Sequence, residues 1–236
     1  MSCLFILQDS RSPIHNARPS LPKPFGFRAA ALLEEHSVPS PAICPYRLPR
    51  VGYWQLPVVS VCAPIFNNKS DFPPDLSRAL FLEHSSCHAE SIPVYTDGSK
   101  TVTGVGFAVV FPSFNRSAAL SPVSSVFTAE LSAIIFTLQT IFTLPVNSFT
   151  IFTDSRSVLS ALGSFTSLAN PLVLSAVEWL FLLRQRGYNI GFCWVPGHVG
   201  VRGNEQADQL ARGAVTSDPR QSPVPCRDAF PDFTFD

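Results

Sequence analysis

A chain of 236 residues with 46% apolar side chains can bury one or two real cores, which excludes wholesale disorder. Its 17 Lys and Arg balance 17 Asp and Glu, which argues against indiscriminate nucleic-acid binding by the chain as a whole. Six irregularly spaced cysteines (3, 44, 62, 87, 193 and 226) do not make a disulfide framework and read as reduced thiols of an intracellular protein.

Residues 1–90 hold 12 of the 22 prolines and only two glycines, with poor periodicity up to about residue 72. The opening run Met1–Leu7 is apolar, but Asp9 and Arg11 cut it short of a signal-peptide core and no basic residue leads it. The segment is expected to be a mostly irregular connector. Within it, Leu76, Leu80 and Glu83 are spaced for a short amphipathic helix over about 75–84. His84-Ser85-Ser86-Cys87-His88 invites a zinc reading, but no second ligand pair follows nearby at regular spacing.

From Ile92 the pattern changes. Val94-Tyr95-Thr96-Asp97 reads as a strand over 92–97 that ends in a carboxylate, with Gly98 as a turn or a point of close backbone approach. Further strands are expected at 105–111 and near 116–121. Leu131, Ile134, Ile135, Leu138, Ile141 and Phe142 share one face of a helix over about 126–143, which Pro145 and Asn147 end. A strand at 148–153 leads to a short helix over 155–163 with Ser155 as its cap. Asn170 and Pro171 open a helix over 171–186. A strand at 189–194, a glycine-rich loop and a last helix over about 204–213 complete the unit. Residues 215–236 carry four prolines and no period, and read as a loose tail. The uncharged stretch Leu131–Thr153 is long enough to raise a membrane span, but its period switches at Pro145, so a buried helix-turn-strand explains it better.

Four acids recur at the starts and ends of these elements: Asp97, Glu130, Asp154 and Asp208. Taken singly, each is an ordinary cap or solvated charge; Asp154, just before a helix, is the clearest case. As a set they can serve a hard divalent cation, which takes a few carboxylates held on rigid elements. His198 lies in Trp194-Val195-Pro196-Gly197-His198-Val199-Gly200, where flanking glycines permit movement and imidazole exchanges protons near neutral pH. An exposed loop histidine is the plainer alternative. Glu205, one turn before Asp208, either touches an outer metal shell or, with Asn204, stabilises the helix start. Between residues 92 and 214, seven cations face only two acids outside the set of four, a balance that suits a polyanion.

In their order and spacing these blocks resemble the ribonuclease H domain of the type 1 family, most closely the version at the end of the reverse transcriptase polyprotein of LINE-type (non-LTR) retrotransposons. The resemblance covers roughly Ile92 to Ala214. It implies an α/β, ribonuclease H-like fold: a mixed five-stranded sheet with helices on both faces, over residues 91–214, preceded by the Pro-rich segment 1–90 and followed by the tail 215–236. It implies metal-dependent endonucleolytic cleavage of the RNA strand of RNA–DNA hybrids. Asp97, Glu130, Asp154 and Asp208 would hold two Mg²⁺ ions, for which Mn²⁺ substitutes, with Asp97 central and His198 aiding proton transfer or product release. Gly98 and Ser99 are candidates for contact with the 2′-hydroxyl that marks RNA, and Lys100, Arg156 and Arg202 for phosphate contact. The expected partner is the hybrid, beside a reverse transcriptase in a parent polyprotein of which this chain is a fragment. The protein is expected to be a monomer of the nucleus or cytoplasm with no membrane association. No basic helix insertion separates the helices at 155–163 and 171–186, unlike the bacterial enzymes and like the retrotransposon type. The alternatives are a catalytically silent, nucleic-acid-binding remnant of a retrotransposon polyprotein, and another nuclease or transposase on the same fold.

Overall fold

The structure, a computed structural model, describes residues 52, 55–56, 61–62, 72–164, 170–217, 225 and 228. Expectations for residues 1–51 and for most of the tail lie outside the described residues. The elements in chain order are β1 (Val61–Cys62), α1 (Pro74–Ser86), β2 (Ile92–Thr101), β3 (Gly104–Val110), β4 (Asn115–Leu120), α2 (Val126–Ile141), β5 (Ser148–Thr153), α3 (Arg156–Leu162), α4 (Pro171–Gln185), β6 (Asn189–Trp194) and α5 (Arg202–Ala214).

The five strands expected from the sequence form a mixed sheet with helices on both faces, and the two-residue β1 extends it by one edge, giving the order β1-β6-β5-β2-β3-β4. β2, β3 and β4 make an antiparallel meander, whereas β5 runs parallel to both β2 and β6. Parallel strands require crossovers, which α2 and the α3–α4 pair supply. Leu131, Ile134, Leu138 and Ile141 of α2 pack with Val158 and Leu159 of α3 and Val173, Leu180 and Leu183 of α4 into the main core, against Val94, Ile151 and Phe192 of the sheet. The other face carries α5 and α1. There Phe81 of α1 is fully buried with Phe152, Cys193, Val195, Val199 and Val201, and Tyr95 stacks on Phe152 at 5.0 Å.

Caps explain several boundaries. The Ser125 hydroxyl accepts from the Thr128 amide at 3.1 Å to start α2, and Asn170 Oδ1 accepts from Leu172 at 2.9 Å to start α4, with Pro171 at the first helical position. Of the tail, Asp228 Oδ2 accepts from the Ser125 amide at 2.8 Å and so adds a carboxylate at the N-terminus of α2.

Three expectations are corrected. β2 does not end at Asp97: it continues through Gly98 to Thr101, paired with β3 throughout, and the turn comes after it. Gly98 is there for close approach, because a Cβ on it would collide with the Glu130 amide nitrogen of α2. Ser155 makes no side-chain capping bond to α3; its own amide instead donates to Thr153 Oγ1 at 3.2 Å. Finally, α1 buries Ser77 and Phe81; of the expected face, Leu80 packs against the main core, whereas Leu76 stays 44% exposed. The uncharged stretch is α2 running into β5, as its break in period indicates, and none of the described helices is long and apolar enough to cross a membrane.

Candidate active site

The register of the sheet builds the centre of the site. β2 and β5 pair in parallel up to Thr96↔Thr153. The next residue on each strand is an aspartate, so Asp97 and Asp154 stand side by side where the parallel ladder stops. The missing Cβ of Gly98 lets the first turns of α2 press onto β2, and this brings Glu130 to the same spot. One carboxylate oxygen from each of Asp97, Glu130 and Asp154 lies within 4.8 Å of the others.

Electrostatics record the crowding. Asp97 is buried, and its pKa is pushed up to about 8, first by loss of water and then by the charges of Asp154 and Asp208; Arg212 and the Gly98 amide oppose the rise. Burial likewise lifts Glu130 well above the ordinary carboxylate range, followed by repulsion from Asp97 and Asp154. Glu130 Oε2 is buried and has no hydrogen-bond partner. An orphaned carboxylate oxygen between two further carboxylates is the environment that a hard divalent cation resolves, since it satisfies the oxygen and cancels the repulsion together. The donor set therefore fits Mg²⁺ or Mn²⁺.

Asp154 is held from behind. The Trp194 indole donates to its backbone carbonyl at 3.1 Å, and a Cβ on Gly197 would collide with its carboxylate, so the loop after β6 packs directly on it. Asp208, on α5, belongs to an adjoining cluster with His198 and Glu205, whose ligand atoms lie within 4.8 Å of one another. It couples electrostatically to Asp97 and Glu130, but its Oδ1 is engaged by Arg212 Nε at 2.9 Å, one turn along the helix. The structure thus gathers three of the four acids at one point and sets the fourth beside them, on an ion pair. Arg212, named in the sequence only as one of seven cations, is the part of this arrangement that sequence reasoning missed; its spacing of four from Asp208 was the available signal.

His198 projects to solvent with a side chain 54% exposed, and its Nδ1 is 3.9 Å from Asp208 Oδ2. Its backbone adopts φ 58°, a left-handed conformation costly for a residue with a Cβ, as at a site held by its surroundings. Glu205 Oε1 accepts from the Gly200 amide at 3.2 Å, so its observed role is to tie α5 to the histidine loop. Asn204 is buried with an unpaired Oδ1 and does not face solvent at the helix start, which lies two residues earlier at Arg202.

The remaining candidates are dispersed around this centre. Gly98 lies against the Glu130 backbone, and Ser99 follows it along β2. The exposed Lys100 Nζ donates to the Ser124 carbonyl at 2.8 Å, which anchors the loop before α2. The Arg156 guanidinium lies 3.9 Å over the Trp194 ring, and Arg202 is the exposed first residue of α5.

With this geometry established, comparison with protein families gives one result: the family model for RNase H matches residues 89–216, more than half of the chain. The chain belongs to the RNase H family. Asp97, Glu130, Asp154, His198 and Asp208 all lie inside the matched span, while α1 and β1 lie before it. No curated protein matches the chain.

Proposed function

We propose that this RNase H protein is a metal-dependent endonuclease that hydrolyses the RNA strand of RNA–DNA hybrids. The observation that carries the reading is the meeting of Asp97, Glu130 and Asp154 around a buried, unpartnered carboxylate oxygen. Asp97, Glu130, Asp154 and Asp208 would hold two Mg²⁺ ions. Bound there, the ions supply activation of the attacking water and neutralisation of the leaving oxygen.

The protein's own groups prepare that chemistry. Asp97 must give up the proton that its raised pKa retains, so loading of the site is coupled to proton release. Arg212 holds Asp208 in place and offsets charge at Asp97. His198, exposed and facing the Asp208 carboxylate, takes up or delivers a proton at the rim of the site as the product leaves. Ser99 and the backbone beside Gly98 meet the 2′-hydroxyl, and Lys100, Arg156 and Arg202 supply positive charge for the phosphates on either side.

The reading extends to context. The motifs resemble those of LINE-type retrotransposon polyproteins, so we infer a chain derived from such an element, working in the nucleus or cytoplasm. The test is purified protein with Mg²⁺ or Mn²⁺ and an end-labelled hybrid, alongside duplex DNA and single-stranded RNA. Internal cuts confined to the RNA of the hybrid, and lost in Asp154→Asn, support it. Binding of the hybrid without cleavage would identify the silent remnant instead.

A further inference from the structure

A second group of metal-type side chains lies on the α1 side of the sheet, away from the acidic cluster. His84 sits in the last turn of α1 and His88 four residues on, so the two imidazoles share one side of the helix end. Their ring centroids are 5.5 Å apart. Opposite them is Cys193 of β6, a fully buried thiol. One nitrogen from each histidine and the Cys193 sulfur lie within 4.8 Å of one another. Both Nε2 atoms are buried and have no hydrogen-bond partner. The Cys193 thiol donates to the Trp194 carbonyl at 3.6 Å, but the two imidazole nitrogens beside it are buried without a partner, and a buried polar atom left unsatisfied is costly.

We propose that His84, His88 and Cys193 bind a structural Zn²⁺ ion that clips α1 onto the sheet. Imidazole and thiolate are the donors zinc favours, and this set contains no carboxylate to attract Mg²⁺. With Zn–N near 2.0–2.1 Å and Zn–S near 2.3 Å, tetrahedral ligand atoms stand roughly 3.3–3.7 Å apart, so side-chain adjustments of about 1 Å close the site. A fourth donor, from the protein or from water, would complete the tetrahedron.

The clip has a structural consequence. α1 precedes the span matched by the RNase H family and meets it through the buried Phe81, through Leu80 against the main core, and through Arg78, whose guanidinium lies within 3.7 Å of where a Cβ on Gly200 would stand. Zinc would therefore fix the helix that borders the His198 loop.

The test uses the whole protein, purified without added metal and titrated with Zn²⁺ and with Co²⁺ as its coloured surrogate. The expected result is one Zn²⁺ per chain, with Co²⁺ giving tetrahedral ligand-field bands and a thiolate charge-transfer band. His84→Gln and His88→Gln should each lose stoichiometric binding while circular dichroism stays native. Asp97→Asn should keep it, which separates this ion from any in the acidic cluster. Hydrogen exchange in α1 should slow on zinc addition and speed up on chelation. Absence of stoichiometric zinc, a cobalt spectrum without the thiolate band, or binding unchanged in the His84→Gln/His88→Gln double variant would overturn the proposal.

Discussion

Replacing Asp97 with asparagine should stabilise the metal-free protein while removing its activity. In the folded chain the Asp97 pKa stands at about 8, against an ordinary 3.8, mainly because the carboxyl is buried beside Asp154 and Asp208. The folded state thus holds a proton that the unfolded state releases above about pH 4. Stability falls wherever the folded state binds more protons, so it should decline as pH rises from about 4 to about 8 and level off beyond. At roughly 1.4 kcal/mol for each pH unit, the Asp97 contribution at pH 7.5 is on the order of 5 kcal/mol. Asparagine has nearly the same shape, cannot ionise and escapes the cost. Urea unfolding in EDTA should therefore show Asp97→Asn more stable than wild type at pH 7.5, with the difference vanishing near pH 4. Mg²⁺ should raise wild-type stability at pH 7.5 and leave the variant unchanged. A variant less stable than wild type at pH 7.5 in EDTA would refute the reasoning, because it would mean that the Asp97 carboxylate is a stabilising charge.

Other perturbations follow from the same geometry. Asp154→Asn and Glu130→Gln should each lower the single-turnover cleavage rate by roughly 10²–10⁴-fold, the equivalent of several kcal/mol of charge stabilisation. Arg212→Gln removes a cation that lowers the Asp97 pKa, so its Mg²⁺-dependent activity profile should move to higher pH; an unmoved profile would separate Arg212 from the site. Gly98→Ala drives a Cβ into the α2 backbone at the Glu130 amide and should cost both thermal stability and activity, checked by melting temperature and rate together. His198→Ala should slow multiple turnovers more than the first, visible as an enlarged burst.

Much of the fold could be read from the chain because its boundaries are set by local chemistry. β5 and β6 begin and end where the sequence places them, and Pro145 and Asn147 close the helical period just before β5. The Asn170–Pro171 start of α4 is legible for the same reason. Where local and tertiary signals conflict, the tertiary one wins. Asp-Gly reads as a turn, yet Gly98 lies mid-strand because the requirement it meets comes from α2, more than thirty positions away. Leu76 fits an amphipathic face of α1, but the pocket formed by Phe152, Cys193 and Val201 accepts Phe81.

The acidic site was legible as a set of residues, and its internal arrangement was not. The four carboxylates stand out by order and by placement at element ends. The Asp208–Arg212 pair is local, four residues apart on one helix, but that three acids meet while Asp208 stands beside them depends on where α5 crosses β2 and β3, which no spacing along the chain encodes. The cluster of His84, His88 and Cys193 was hidden more completely. Its histidines are local, but the third ligand arrives from β6, beyond any sequence window in which a ligand pair would be sought.

Anomalous scattering from crystals of the Asp154→Asn variant soaked in Mn²⁺ with an RNA–DNA hybrid tests the central claim most directly. Two manganese peaks about 4 Å apart, both within bonding distance of Asp97 and one also of Glu130, are the predicted result. A map with the hybrid in place and no manganese on Asp97 would contradict the account.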